Sequence, residues 1–133
     1  MEDLYDLTIA IWSQTNVKLQ EGISLALISE FESKLDFKFP ENFKAFYQKV
    51  NGFVEGEWNK DMFSLWPIER ITKEYLIAEN KDYVPFCDYL ISCYTFGYVK
   101  SGEGIIMDIT SDKICNTFEE FIQLLNSNSD ILY

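Results

Sequence analysis

Residues 37–53 read FKFPENFKAFYQKVNGF, and this stretch constrains the fold more than any other in the chain. Asn51-Gly52 is the dipeptide of tight β-hairpins, yet the residues before it do not alternate as a strand would. Phe43, Phe46, Tyr47 and Val50 instead fall at i, i+3, i+4 and i+7, one face of a helix. Pro40 stands where a first helical turn tolerates proline, so the spacing predicts a proline-initiated helix. On this reading Asn51-Gly52 is its stop: Gly52 takes the left-handed C′ conformation and Phe53 folds back on the last turn.

The same reasoning orders the rest. Leu4, Leu7, Ile11 and Trp12 predict a helix over residues 3–14, and a loop containing Gly22 follows. Ser24 caps a second helix with Leu27, Ile28, Phe31 and Leu35 inward and Glu30, Glu32 and Lys34 outward. After Gly52 comes a polar segment, then a short strand at 62–66, a break at Pro67, and a short helix carrying Ile68, Ile71 and Tyr75. ENKDY reads as a loop. Residues 90–99 have strand character, with Tyr94, Phe96 and Tyr98 on one face and Cys93 and Thr95 on the other. Strands at 105–109 and around Ile114 and Cys115 follow, and Thr117 with Glu120 forms a capping box for a last helix carrying Phe118, Phe121, Ile122 and Leu125. Helices gather early and strands late, with no repeat and no linker, so the expectation is one α+β domain over residues 1–133, its helices packed on a mostly antiparallel sheet.

Composition narrows function by exclusion. The chain has no histidine, which removes Ser-His and Cys-His nucleophile pairs and His-containing zinc sites. Cys87, Cys93 and Cys115 form no C-x-x-C pair and are expected as buried free thiols in a reducing compartment. FGYVKSGEGI is neither a Walker loop nor a dinucleotide fingerprint and reads as a hairpin turn; no cofactor is implied. Asp108 with Asp112, and Glu119 with Glu120, are the paired carboxylates open to acid/base work, but turn and capping roles account for them. Glu2, Asp3 and Asp6 stand where a signal peptide carries basic residues, and no apolar run approaches the roughly 18 residues of a membrane span, so a cytoplasmic protein is expected.

Charge carries the positive information. Twenty-two acidic residues against eleven basic give a net charge of −11, and only residues 37–50 sum positive. Such a chain repels phosphate backbones and anionic membranes, so direct nucleic-acid or membrane binding is not expected. The acidity serves either solubility or attraction to a basic protein partner. The candidate partner-binding residues are Glu55, Glu57, Trp58 and Asp61, with Asp82 and Asp88 from a later loop: an aromatic ringed by carboxylates on loops. A solvated loop with its tryptophan tucked against the sheet is the alternative.

Taken together, ISEFESKLDFKFPENFKAFYQKVNGF, LWPIERI, VPFCDYLIS and TFEEFIQLL, in this order, resemble the SUKH superfamily, the Smi/Knr-type domain. The resemblance implies an α+β fold without a catalytic motif, and hallmark positions (Phe31, Pro40, Phe46, Asn51, Gly52, Trp66, Pro67, Phe121) that are structural. It further implies one of two roles. Bacterial members are interpreted as immunity proteins that neutralise a cognate polymorphic toxin, often a nuclease; eukaryotic relatives act as interaction modules. The expected partner is therefore a basic toxin domain, with a regulatory or scaffold module as the alternative and a carboxylate enzyme a distant third.

Overall fold

A computed structural model describes residues 3–108 and 110–133, and it has the α+β architecture read from the sequence. Among the described residues five α-helices, α1 (Leu4–Gln14), α2 (Leu25–Leu35), α3 (Glu41–Lys49), α4 (Ile68–Ile77) and α5 (Phe118–Ser127), accompany seven strands. A two-stranded sheet pairs β1 (Leu19–Glu21) with β2 (Val50–Phe53). A five-stranded antiparallel meander runs in chain order through β3 (Phe63–Leu65), β4 (Tyr83–Tyr89), β5 (Tyr94–Val99), β6 (Ile105–Met107) and β7 (Lys113–Cys115). Ile109, the last residue of the strand expected at 105–109, lies outside the described residues.

The core is a stack of aromatic rings between α3, α5 and one face of the larger sheet. Phe43 is stacked 4.2 Å from both Phe39 and Tyr47 and meets Phe118 edge-on at 5.0 Å. Phe121 reaches down to Phe86 at 5.2 Å and Phe96 at 5.3 Å. Each such ring contributes on the order of 1.5–3 kcal/mol by leaving water. The face of β5 carrying Phe96 and Tyr98 is thus covered and offers no platform for stacking bases.

Several local expectations need correction. In α1 the inward stripe is Tyr5, Thr8 and Trp12, while Leu7 and Ile11 are exposed. Thr8 goes inside because its hydroxyl has partners: it donates to the Leu4 carbonyl and accepts from the Asn126 amide of α5. Glu32, expected outward, is buried; its Oε2 accepts from the Phe39 amide at 2.7 Å and faces Lys44 at 3.8 Å, bracing the entry to α3. Residues 83–89, read as loop and pre-strand, form the longest strand, and residues 90–93 are a turn rather than the start of one.

The Asn51-Gly52 reading also changes. Helix α3 ends at Lys49, Val50 is already extended, and Val50–Phe53 are the strand β2. Gly52 does adopt φ +67, but inside that strand, where an added Cβ would stand 2.6 Å from the Trp66 carbonyl. Glycine is required there by both conformation and contact. Asn51 is buried and caps α4 across the chain: its Oδ1 accepts from the Ile68 amide at 2.9 Å and its Nδ2 donates to Glu69 at 2.7 Å. Phe53 packs edge-on to Trp12 of α1 at 4.9 Å.

Candidate partner-binding surface

The segment between β2 and β3 is polar, yet it is tied down at both ends. At its start the Val54 amide donates to the Lys18 carbonyl, and Glu57 Oε1 accepts from the Lys18 amide at 3.1 Å. At its end buried Asn59 accepts from the amides of Asp61 and Phe63 through one side-chain oxygen. Asn59 was not singled out from the sequence; its spacing two and four residues before the amides it binds is the signal that was there to read. Between these anchors Glu55 and Gly56 project as the tip, with Gly56 at φ +88.

The six expected site residues do not form one cluster. Glu55 is exposed, whereas Glu57, Trp58 and Asp61 are half-buried on the same segment. Trp58 is therefore neither the solvent-exposed anchor of one reading nor the buried ring of the other. Among the described residues, no lysine or arginine is ion-paired with Glu55, Glu57 or Asp61. Glu55 also lines a shallow depression of about 280 Å³ with Pro67, Glu69, Arg70 and Lys73. Asp82 sits at the other end of β4, about 20 Å from Asp88 along an extended strand. There it accepts from the Ser101 amide and hydroxyl at 2.9 and 2.6 Å, fastening a turn.

Asp88 is a correction to the proposed face, because its carboxylate is inside the protein. It is 1% exposed, accepts from Trp66 Nε1 at 2.7 Å, and pairs with Arg70 at 3.3 Å. The Arg70 guanidinium lies over the Trp66 ring at 4.3 Å, which fixes the fork above the carboxylate. The only arginine in the chain is thereby committed to neutralising a buried acid. Asp88 Oδ1 has no hydrogen-bond partner among the described residues.

In each of the two carboxylate pairs one member has a structural role, while Asp112 and Glu119 are exposed. Asp108 Oδ1 accepts from the Thr95 amide at 2.9 Å, and Glu120 Oε2 accepts from the Asn116 amide at 3.1 Å as a capping group. Gly102 and Gly104 lie between antiparallel β5 and β6, the hairpin setting expected of them. Burial pushes the Cys87 thiol far up and the Cys115 thiol up to about 12, so both are poor nucleophiles. Cys93, expected buried, is exposed because it lies in the turn and not in a strand. Among the described residues no three histidine, cysteine, aspartate or glutamate side chains converge as metal ligands, and no helix is long and apolar enough to cross a membrane.

In a comparison with protein-family models, residues 22–124 match the model described as SMI1 / KNR4 family (SUKH-1). It spans α2 through most of α5. No curated protein matches significantly.

Proposed function

The chain belongs to the SMI1/KNR4 family (SUKH-1), and from that premise we propose that it is a non-enzymatic, cytoplasmic immunity protein that binds and neutralises a cognate polymorphic toxin. The toxin domain we infer is basic, as a nuclease with a substrate groove for a polyanion must be. The observation that carries this reading is the charge of −11 combined with loop carboxylates that no internal cation neutralises. Carboxylates in that state steer a basic partner into encounter and compete for the groove that its substrate uses. The chemistry of catalysis has less support, since the buried acids Glu32 and Asp88 already hold an amide, an indole N–H and a guanidinium.

Co-expression with the toxin domain encoded in the adjacent reading frame tests the proposal. Rescue of growth, together with a complex that survives purification, is the expected result; toxicity unchanged by the protein would sink it. Capture of a housekeeping protein at an affinity insensitive to salt would favour the regulatory or scaffold reading instead.

A further inference from the structure

The turn joining β4 to β5 is built against its own backbone preference. Leu90, Ile91 and Ser92 stand at φ 50, 53 and 65, a left-handed run in which a β-branched residue is an outlier. Glycine or asparagine would close this turn without conflict. Nor does burial explain the side chains, since Leu90 is 42% and Ile91 67% exposed. Met62, whose carbonyl accepts from the Leu90 amide at 3.0 Å, is also left-handed at φ 72. Backbone conflict at such a density, with little burial in return, is the kind that segments kept for contact retain.

The turn continues into a larger apolar surface. Tyr89, next to Leu90, is contacted edge-on by Tyr133 at 5.2 Å, and Tyr133 also meets Phe63 at 5.9 Å while remaining half exposed. Ile131, 49% exposed, borders the same ring across a groove of about 430 Å³. Asp61 immediately precedes Met62, whose carbonyl holds the Leu90 amide, and exposed Asp130 immediately precedes Ile131 at the groove, so both carboxylates border this surface. Neither is ion-paired among the described residues, and Lys113 is the one cation among those lining the groove.

Other exposed apolar pairs lack these features. Leu76 and Ile77 end α4 beside Lys81, whose ammonium binds the Tyr75 and Leu76 carbonyls. Leu7 and Ile11 lie on α1, where Asp3 and Asp6 are already paired with Lys49. Among the described residues, only the sheet end combines apolar anchors, carboxylates without ion-pair partners and a backbone conformation retained against preference.

We propose that the β4–β5 turn and Tyr133, with Asp61 and Asp130 at their edge, form the face that seats in an apolar cleft rimmed by lysine and arginine on the protein partner. The proposal rests on the neutralisation reading and specifies its contact surface. Leu90 and Ile91 are the anchors; the carboxylates meet the cationic rim. This shifts the centre of binding from Glu55 and Trp58 to the neighbouring end of the sheet, keeping Asp61 in common.

The test is Ile91→Gly alone and paired with Leu90→Asn, which removes the anchors while installing a turn that the backbone prefers. Thermal midpoint and affinity for the toxin domain encoded in the adjacent reading frame are measured together. The expected result is an unchanged or higher midpoint with affinity weakened at least tenfold, while Leu76→Ser/Ile77→Ser leaves affinity unaltered. Wild-type binding that the turn variants retain would overturn this proposal alone. Failure of the wild type to bind would overturn the neutralisation reading and this face with it. Self-association of the free protein that the turn variants abolish would assign the face to a second copy, also against the proposal.

Discussion

Asp88 shows how one side chain separates a binding role from a folding role. Its carboxylate is held by Trp66 and Arg70, so removing it strands a guanidinium and an indole N–H away from full hydration. Asp88→Ala is expected to lower unfolding free energy by about 3 kcal/mol, measured by urea denaturation, because breaking a buried pair leaves its partner uncompensated. Any accompanying loss of binding would then track stability and not encounter rate. By contrast, Asp61→Asn is expected to leave the urea midpoint within error while slowing association. The sequence could not show this difference: Trp66 and Arg70 stand 22 and 18 positions from Asp88, and an aspartate in VPFCDY looks like any loop carboxylate. Cys93 was misplaced for a related reason, since a strand reading of LISCYTFGYV hides the turn that exposes it. A thiol reagent at pH 8 is expected to modify Cys93 alone in the folded protein, with Cys87 and Cys115 reacting only on denaturation; three fast thiols would contradict the burial described.

Among the elements, those with strong local rules were legible and those completed by distant partners were not. Thr117 caps α5 by accepting from the Glu120 amide at 3.1 Å, and Ser24 caps α2 from the Leu27 amide at 3.2 Å, both as their spacing predicted. The aromatic stripe of α3 was likewise written in its period, and Phe43, Phe46 and Tyr47 are buried. Strand β2 was not legible, because a four-residue strand has too few positions to show alternation and its partners in Leu19–Glu21 lie 29 to 34 residues away. That strand is where Gly52 becomes indispensable. Gly52→Ala is expected to destabilise by about 2 kcal/mol or more, from a left-handed backbone and a Cβ overlapping the Trp66 carbonyl. Calorimetry that finds this variant as stable as the parent would refute the close approach. Of the candidate site, the sequence shows only that Glu55, Glu57, Trp58 and Asp61 share a segment; Asp82 and Asp88 were grouped with them by charge alone, and the fold sets both apart.

At the scale of the molecule, aromatic burial and acidity act on different functions. Burial, ahead of nearby charges, raises the pKa of Tyr47 and Tyr98 well above 10.0 and of Cys87 well above 9.0. The unfolded chain therefore loses these protons first, and it binds fewer protons than the native state above pH 9. Stability is full below about pH 9 and falls as pH rises through 9–10 toward the raised native values. Denaturation midpoints should decline over that window, with phenolate absorbance appearing together with unfolding. On the proposed reading the surplus of carboxylates acts outside the core, through a long-range attraction that salt screens over a Debye length of roughly 10 Å at 0.1 M. The central claim, that an acidic family member captures a basic toxin domain, is tested most directly by stopped-flow association of the two proteins across ionic strength. The association rate is expected to fall at least tenfold between low and high salt, with dissociation nearly constant. A rate independent of salt, or no complex at any salt, would contradict it.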